Sequence, residues 1–341
     1  MPIQGFIRFR KHQVGVAAST SFGSNVAATR ILPYRGAIKI EPNRTTPDVD
    51  TGSLDPVLPS FFGAVDVTGS WEGKAAFNDL SYLYSLGVKG GVTPTGSATG
   101  RVWTYQAASL TADPFDFATD QWGDDVTADL ITGGGGVINT WKVGFGEDLS
   151  AFDVSAELYY ARASYGSNGF TGGLTIDAAP AWLYGAHTVV YMDTVAGAIG
   201  TSPIVDAVHS AEFSVNNNLD KKRFANGSNS GFQLAGYGRG PREIEFTLQV
   251  AKTVTTITEA QTLDDTPVPT RYFDIKTTST EIIPGGSTPY SNSIRFAAEL
   301  IGREDTEIEN NSTITLTYRA KYDATLAYAL RCVVTNSLAS L

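Results

Sequence analysis

At 341 residues with 42% hydrophobic content, the chain can bury two cores of ordinary size, and its low charged fraction of 18% leaves room for the Gly, Thr, Ser and Asn that favour strands and turns. A net charge of −10 argues against tight phosphate binding, which needs clustered Lys and Arg. The lone cysteine, Cys332, excludes an intrachain disulfide, and no run approaches the ~20 apolar residues of a membrane-spanning helix. No basic stretch leading into an apolar run opens the chain, so no secretory leader is expected.

Residues 1–30 read as an N-terminal arm. Ile3, Phe6, Ile7 and Phe9 alternate with Arg8, Arg10 and Lys11, and Ala17–Arg30 is small and polar without a period. The apolar residues predict that the arm docks, on its own domain or on a neighbour. Gly36–Arg44 follows as a strand, then a loop over Thr45–Phe62, then a strand at Gly63–Gly73. Phe77–Leu86 carries apolar residues at helical spacing, with Asn78 or Asp79 to cap its start and Gly87 to end it. Arg101–Ala107 is the next strand, Gly133–Gly136 reads as a hairpin loop, and Phe152–Arg162 closes the half as a strand.

The same order then recurs. Ala211–Asn218, a loop over Leu219–Pro241, Arg242–Val250, a capping box at Thr256–Glu259 leading into Ala260–Leu263, Arg271–Thr277 and Thr313–Tyr322 repeat the first series. Arg271–Thr277 matches Arg101–Ala107 in this alignment. Cut at Phe170, the chain divides into halves of equal net charge. The expected fold is mainly β: two tandem β-sandwich or barrel domains, each with a short flanking α-helix. Domain 1 spans 31–165, a linker 166–180 and domain 2 181–341, with Ser164–Gly173 supplying the linker composition.

The two long loops hold the same place in each half. The first carries Asp48, Asp50 and Asp55 with Leu54, Val57 and Leu58. The second carries Lys221, Lys222, Arg223 and Arg239 with Phe224, Phe232 and Leu234. Apolar groups ringed by charge are the composition of a contact surface, and opposite signs would fix which side meets which.

Little in the sequence points to catalysis. His12, His187 and His209 lie in no metal-binding spacing, no nucleophile motif surrounds Cys332, and Asp124-Asp125 and Asp264-Asp265 are adjacent carboxylates that a strand would point to opposite faces. Trp71 and Trp103 read as core. No enzyme, cofactor or metal is expected.

The opening, Val14–Gly23 with Pro33-Tyr34-Arg35-Gly36, together with the order strand, long loop, strand, short helix, strands, resembles the major tail tube proteins of long-tailed, non-contractile bacteriophages. The resemblance implies a structural virion protein of the phage tail, assembled in the host cytoplasm, whose strands join those of neighbours around a channel. A tandem duplication implies homotrimeric, pseudo-hexameric rings that stack into a tube. The long loops would make ring-to-ring contacts through Asp48, Asp50, Leu54, Asp55, Val57, Leu58, Lys221, Lys222, Arg223, Phe224, Phe232 and Arg239. Other implied partners are a tail-tip initiator, a tape-measure protein and DNA in transit, with no membrane insertion. Glu157, Glu243 and Glu245, on alternating strand positions, are the candidates to face the lumen. The alternatives are a two-domain β-sandwich binding module or adhesin, and a decoration or fibre protein.

Overall fold

A computed structural model describes residues 11–19, 22–45, 47, 59–107, 114–123, 130–166, 169–225, 233–308 and 311–341. The first half contains strands β1 (Lys11–Ala17), β2 (Arg30–Ile31), β3 (Ile38–Thr45) and β4 (Phe61–Lys74), then helix α1 (Phe77–Gly87). Strands β5 (Thr95–Ser97), β6 (Gly100–Ala107), β7 (Phe117–Gly123), β8 (Ile131–Phe145), β9 (Asp153–Tyr159) and β10 (Arg162–Tyr165) follow. The second half holds β11 (Thr188–Asp193), β12 (Val208–Asn216), β13 (Leu219–Lys222), β14 (Gly236–Arg239) and β15 (Glu243–Ala251), then helix α2 (Val254–Gln261). It ends with β16 (Arg271–Ile282), β17 (Pro289–Ile308), β18 (Asn311–Lys321) and β19 (Leu330–Asn336). The protein is mainly β, with large antiparallel sheets and two short helices among the described residues; no sheet closes into a barrel.

The strand pairings of one half recur in the other. β1–β7, β7–β8, β8–β9, β8–β10, β3–β4 and β4–β9 correspond to β11–β16, β16–β17, β17–β18, β17–β19, β12–β15 and β15–β18. A register shift between Ile138 and Thr140 matches one between Leu300 and Gly302, which fixes the correspondence residue by residue from Gly136 onward; a second shift, between Ala118 and Thr119 in β7–β8, has no counterpart in β16–β17. β8 and β17 are long because each serves two sheets. The first part of β8 pairs with β7 and β10, and its later part with β9.

Two ladders join the halves. β8 pairs with β12 from Ala211↔Phe145 to Asn216↔Thr140, and β6 pairs with β19 from Leu330↔Ala107 to Asn336↔Arg101. The result is one continuous run of eight strands in the order β3-β4-β9-β8-β12-β15-β18-β17. The core side of this run presents Trp71, Leu158, Trp141, Phe213, Phe246 and Leu316, all buried. The second sheet lies against it, and Phe246, Phe273, Phe296 and Tyr318 make mutual ring contacts at 4.7–6.3 Å between centroids.

Several expectations are corrected. Lys11–Ala17, assigned to the arm, is strand β1, whose pairing with β7 ties it down; residues 1–10 lie outside the described residues. Gly133–Gly136 is not a hairpin loop but the buried first part of β8. The reason is Tyr160: a Cβ on Gly133 or Gly136 would fall 2.8 or 2.6 Å from its ring. The counterpart of β16 is β7 rather than β6, and β6 with β5 has no equivalent in the second half. Helix α1 starts after Ala76 without a side-chain cap, and Gly87 is its last residue, so neither Asn78 nor Asp79 caps it. The capping box of α2 lies three residues earlier than expected, between Thr253 and Thr256. The segment expected to be a linker is hydrogen-bonded to the first half: the Thr171 N–H donates to Gln13 Oε1 at 2.8 Å, and Arg30 pairs with Asp177 at 3.5 Å.

Candidate assembly surface

Antiparallel pairing sets opposed residues on one face of a sheet, so the eight-strand run sorts its side chains in two. Opposite the apolar side, the exposed or half-exposed residues are mostly polar. β3 gives Lys39 and Glu41, β4 gives Asp66, Ser70 and Glu72, and β9 gives Asp153, Ser155 and Glu157. β8 adds Thr140 and Lys142, β12 adds Glu212 and Ser214, and β15 adds Glu243, Glu245 and Thr247. β18 and β17 complete the face with Arg319, Lys321, Glu299 and Glu304.

The cations on this face are held by its carboxylates. Lys142 bonds Glu212 at 2.9 Å, Lys74 bonds Asp153 at 2.8 Å, Arg319 bonds Glu245 at 3.0 Å, Lys321 bonds Glu299 at 2.5 Å, and Lys39 bonds Glu41. Glu72, Glu157, Glu243 and Glu304 have no ion-pair partner among the described residues, so the face carries a net negative charge. Glu157, Glu243 and Glu245, separated widely in sequence, line one depression on it with Lys142 and Glu72.

The expected ring-to-ring residues divide. Asp48, Asp50, Leu54, Asp55, Val57, Leu58 and Phe232 lie outside the described residues. The second loop is a hairpin, β13 paired with β14, rather than an irregular loop. Its Lys221 and Arg223 turn back onto Asp66 of β4, at 2.9 and 2.6 Å. Asp66 is held below the usual carboxylate range: burial opposes this, and the two cationic hydrogen bonds outweigh it. Lys222 pairs with Asp220, and Arg239 lies over the Phe115 ring at 3.6 Å. Phe224 is exposed, whereas Leu234, expected at the surface, is buried.

The buried polar groups the sequence did not flag are structural ties. His12 Nε2 lies 2.9 Å from Asp120 Oδ1, the Tyr160 hydroxyl donates to Asp120 Oδ2, and the His12 ring stacks on Trp122 at 3.7 Å. These residues come from β1, β7 and the position just after β9, and no local pattern links them. No group of three or more His, Cys, Asp or Glu residues is arranged to hold a metal ion among the described residues.

The two ends of the eight-strand run are unpaired along their outer edges among the described residues. β3 bonds only β4. The later part of β17, past Ala298, bonds only β18. Residue correspondence makes the open edge of β3 the counterpart of the β12 edge that pairs with β8. It makes the open edge of β17 the counterpart of the β8 edge that receives β12. The joint inside the chain therefore has both of its surfaces repeated, unpaired among the described residues, at the two ends of the run. No protein-family model matches the chain, and no curated protein is significantly similar to it.

Proposed function

We propose that this chain is a self-assembling structural protein of a phage tail tube. It trimerises into pseudo-hexameric rings that stack into a channel for DNA. The observation that carries the reading is the repetition of the joint's two surfaces: β8 meets β12 inside the chain, and their counterparts, the outer edges of β17 and β3, are open at the two ends of the run among the described residues. Copying the internal register sets Ile38 opposite Asp305, Lys39 opposite Glu304 and Ile40 opposite Arg303 of a neighbour. Lys39 and Glu304 then form a cross-strand pair of opposite charge. Pro42, which has no N–H to give, is the counterpart of Asn217, whose N–H donates to Asn139 O at 2.8 Å in the internal joint, so a joint between chains would lack that last hydrogen bond and its ladder would end at Glu41.

Edge strands left open are an aggregation hazard, and closing them around a ring removes the edges. Three copies of an eight-strand run would make a closed wall of twenty-four strands, polar on one face. With that face inward, unpaired Glu72, Glu157 and Glu243 give a lumen that repels phosphate. Stacking rings head to tail does not close, so it grows a filament. The tail-tip initiator and tape-measure protein remain the implied partners of such a tube.

The test is negative-stain electron microscopy across a concentration series, on the protein and on charge-exchanged variants. Rings with three-fold symmetry and a central hole, or hollow tubes, are the expected result. Dispersed monomers at every concentration would overturn the reading for the isolated protein.

A further inference from the structure

Helix α1 carries contacts across the joint inside the chain. The Phe77 ring stacks on Tyr290 of β17 at 5.8 Å between centroids, and the Tyr84 hydroxyl donates to Asn292 Oδ1 of the same strand at 3.2 Å. Asn336 Nδ2, at the end of β19, donates to Ser81 Oγ at 2.8 Å and to the Phe77 carbonyl at 3.3 Å. The helix residues belong to the first half and their partners to the second. Phe77, Leu80, Ser81 and Tyr84 fall on one stripe, at i, i+3, i+4 and i+7, and all four are at 0% exposure.

The second half repeats the helix and leaves this stripe bare. Gly69 of β4 and Phe246 of β15 are counterparts, because they lie opposite the counterparts Leu158 and Tyr318. Counting on equally from them sets Ala76 against Thr253, and each is the residue just before its helix. Val254, Ile257, Thr258 and Gln261 then match Phe77, Leu80, Ser81 and Tyr84. All four are exposed, Val254 at 84% and Ile257 at 37%. The inner face of α2 is filled as in α1: Thr256, Glu259 and Ala260 are buried, like their counterparts Asp79, Tyr82 and Leu83. α2 is therefore seated on its own half, and what it lacks is the surface that α1 finds on the half beyond the joint.

That surface also has a counterpart. Gly135 is the extra residue of β8 at its first register shift, so Ile131 matches Ile294. Tyr165 of β10 lies opposite Ile131, and Cys332 of β19 lies opposite Ile294, so Tyr165 stands where the second half has Cys332. Cys332 is fully buried and close to the helix: burial, and then the neighbouring thiol, push the Tyr84 pKa up. Tyr165 is 65% exposed. An uncovered helix stripe and an uncovered aromatic residue thus occupy the two matching positions that cover each other inside the chain. We propose that α2 of one copy lies over β10 of the neighbouring copy, with Val254, Ile257 and Gln261 turned onto that strand and Tyr165 beneath the helix. The proposal rests on the ring reading, because the copy whose β3 joins the β17 edge is the one that would present its β10 to α2.

Crosslinking tests it. Gln261 and Tyr165 are the counterparts of Tyr84 and Cys332, so Gln261→Cys and Tyr165→Cys are made as separate chains, mixed, assembled and treated with a short bismaleimide. Cys332 does not compete, since it is fully buried and burial pushes its thiol pKa up. A covalent dimer that forms in the mixture and in neither chain alone is the expected result. Three-fold rings in the microscope without that dimer would overturn the docking and leave the ring standing; dispersed monomers would overturn both. As a second measurement, Val254→Asp with Ile257→Asp, and separately Tyr165→Ala, should each raise the concentration needed for assembly by roughly 10-fold or more. The thermal unfolding of the dispersed chain should stay unchanged, because these side chains are exposed in it and acids in the first turn of a helix do not weaken it. An unchanged assembly concentration in these variants would also overturn the proposal.

Discussion

Tyr160 shows how a single side chain dictates what its neighbours can be. Its hydroxyl is tied to Asp120 and its ring covers Gly69, Gly133 and Gly136. Val favours strands, yet Gly136→Val should destabilise the fold by about 1–3 kcal/mol, because the anchored ring cannot give way. The urea midpoint reads this directly, and a gain in stability would mean the ring moves. Asp79 is a second such point. Burial raises its pKa from 3.8 to about 6 despite the Arg30 guanidinium 2.5 Å away, and its Oδ2 has no hydrogen-bond partner among the described residues. Because the folded value lies above the unfolded one, its contribution is full below pH 3.8 and is lost as pH rises through 6. Asp79→Asn should flatten the pH dependence of the urea midpoint between pH 4 and 7; an unaltered slope would mean that Arg30 keeps Asp79 ionised.

At the scale of elements, the open edges of β3 and β17 make the sharpest demand. Lys39→Glu and Glu304→Lys should each weaken assembly at low salt, and the double exchange should restore much of it. An exposed pair is worth only about 0.2–1 kcal/mol, so the effect is a several-fold shift in the assembly concentration that fades at high salt. No rescue in the double variant would discard the register. The strands most readable in the sequence were those with one polar and one apolar face, such as Arg242–Val250, where alternation carries the signal. β7 escaped because all seven of its residues are buried, which erases alternation. The start of β8 escaped because a glycine run signals a turn unless the ring that occupies its space is known. The capping box of α2 was displaced because Thr256 and Glu259 fit the sequence pattern as well as Thr253 and Thr256 do. The place of Glu157, Glu243 and Glu245 on the polar side of their strands was legible through the same alternation. Their meeting on one face, and the engagement of Lys221 and Arg223 with Asp66, depend on pairings between distant strands that no local signal encodes.

For the whole molecule, the net negative charge of the polar face is the property on which the proposed channel depends. Glu157→Lys together with Glu243→Lys should leave assembly intact, since neither group holds an ion pair, while giving the assembled protein affinity for double-stranded DNA. A gel-shift titration should show retention that declines steeply with salt, and none for the parent. Equal retention by both would mean that this face does not line the channel.

The pair of strands β5 and β6 has one further consequence. Between α1 and β7 the first half inserts β6, which pairs with β19 along seven residues; between α2 and β16 the second half has a short 3-10 helix at Thr262–Asp264 and no strand. The joint within a chain is therefore stitched twice, and a proposed joint between chains would be stitched once. A ring of three such chains would not be mechanically six-fold. Three stiff seams would alternate with three compliant ones, so a tube under bending or torsion would flex, and under stress part, at the seams between chains.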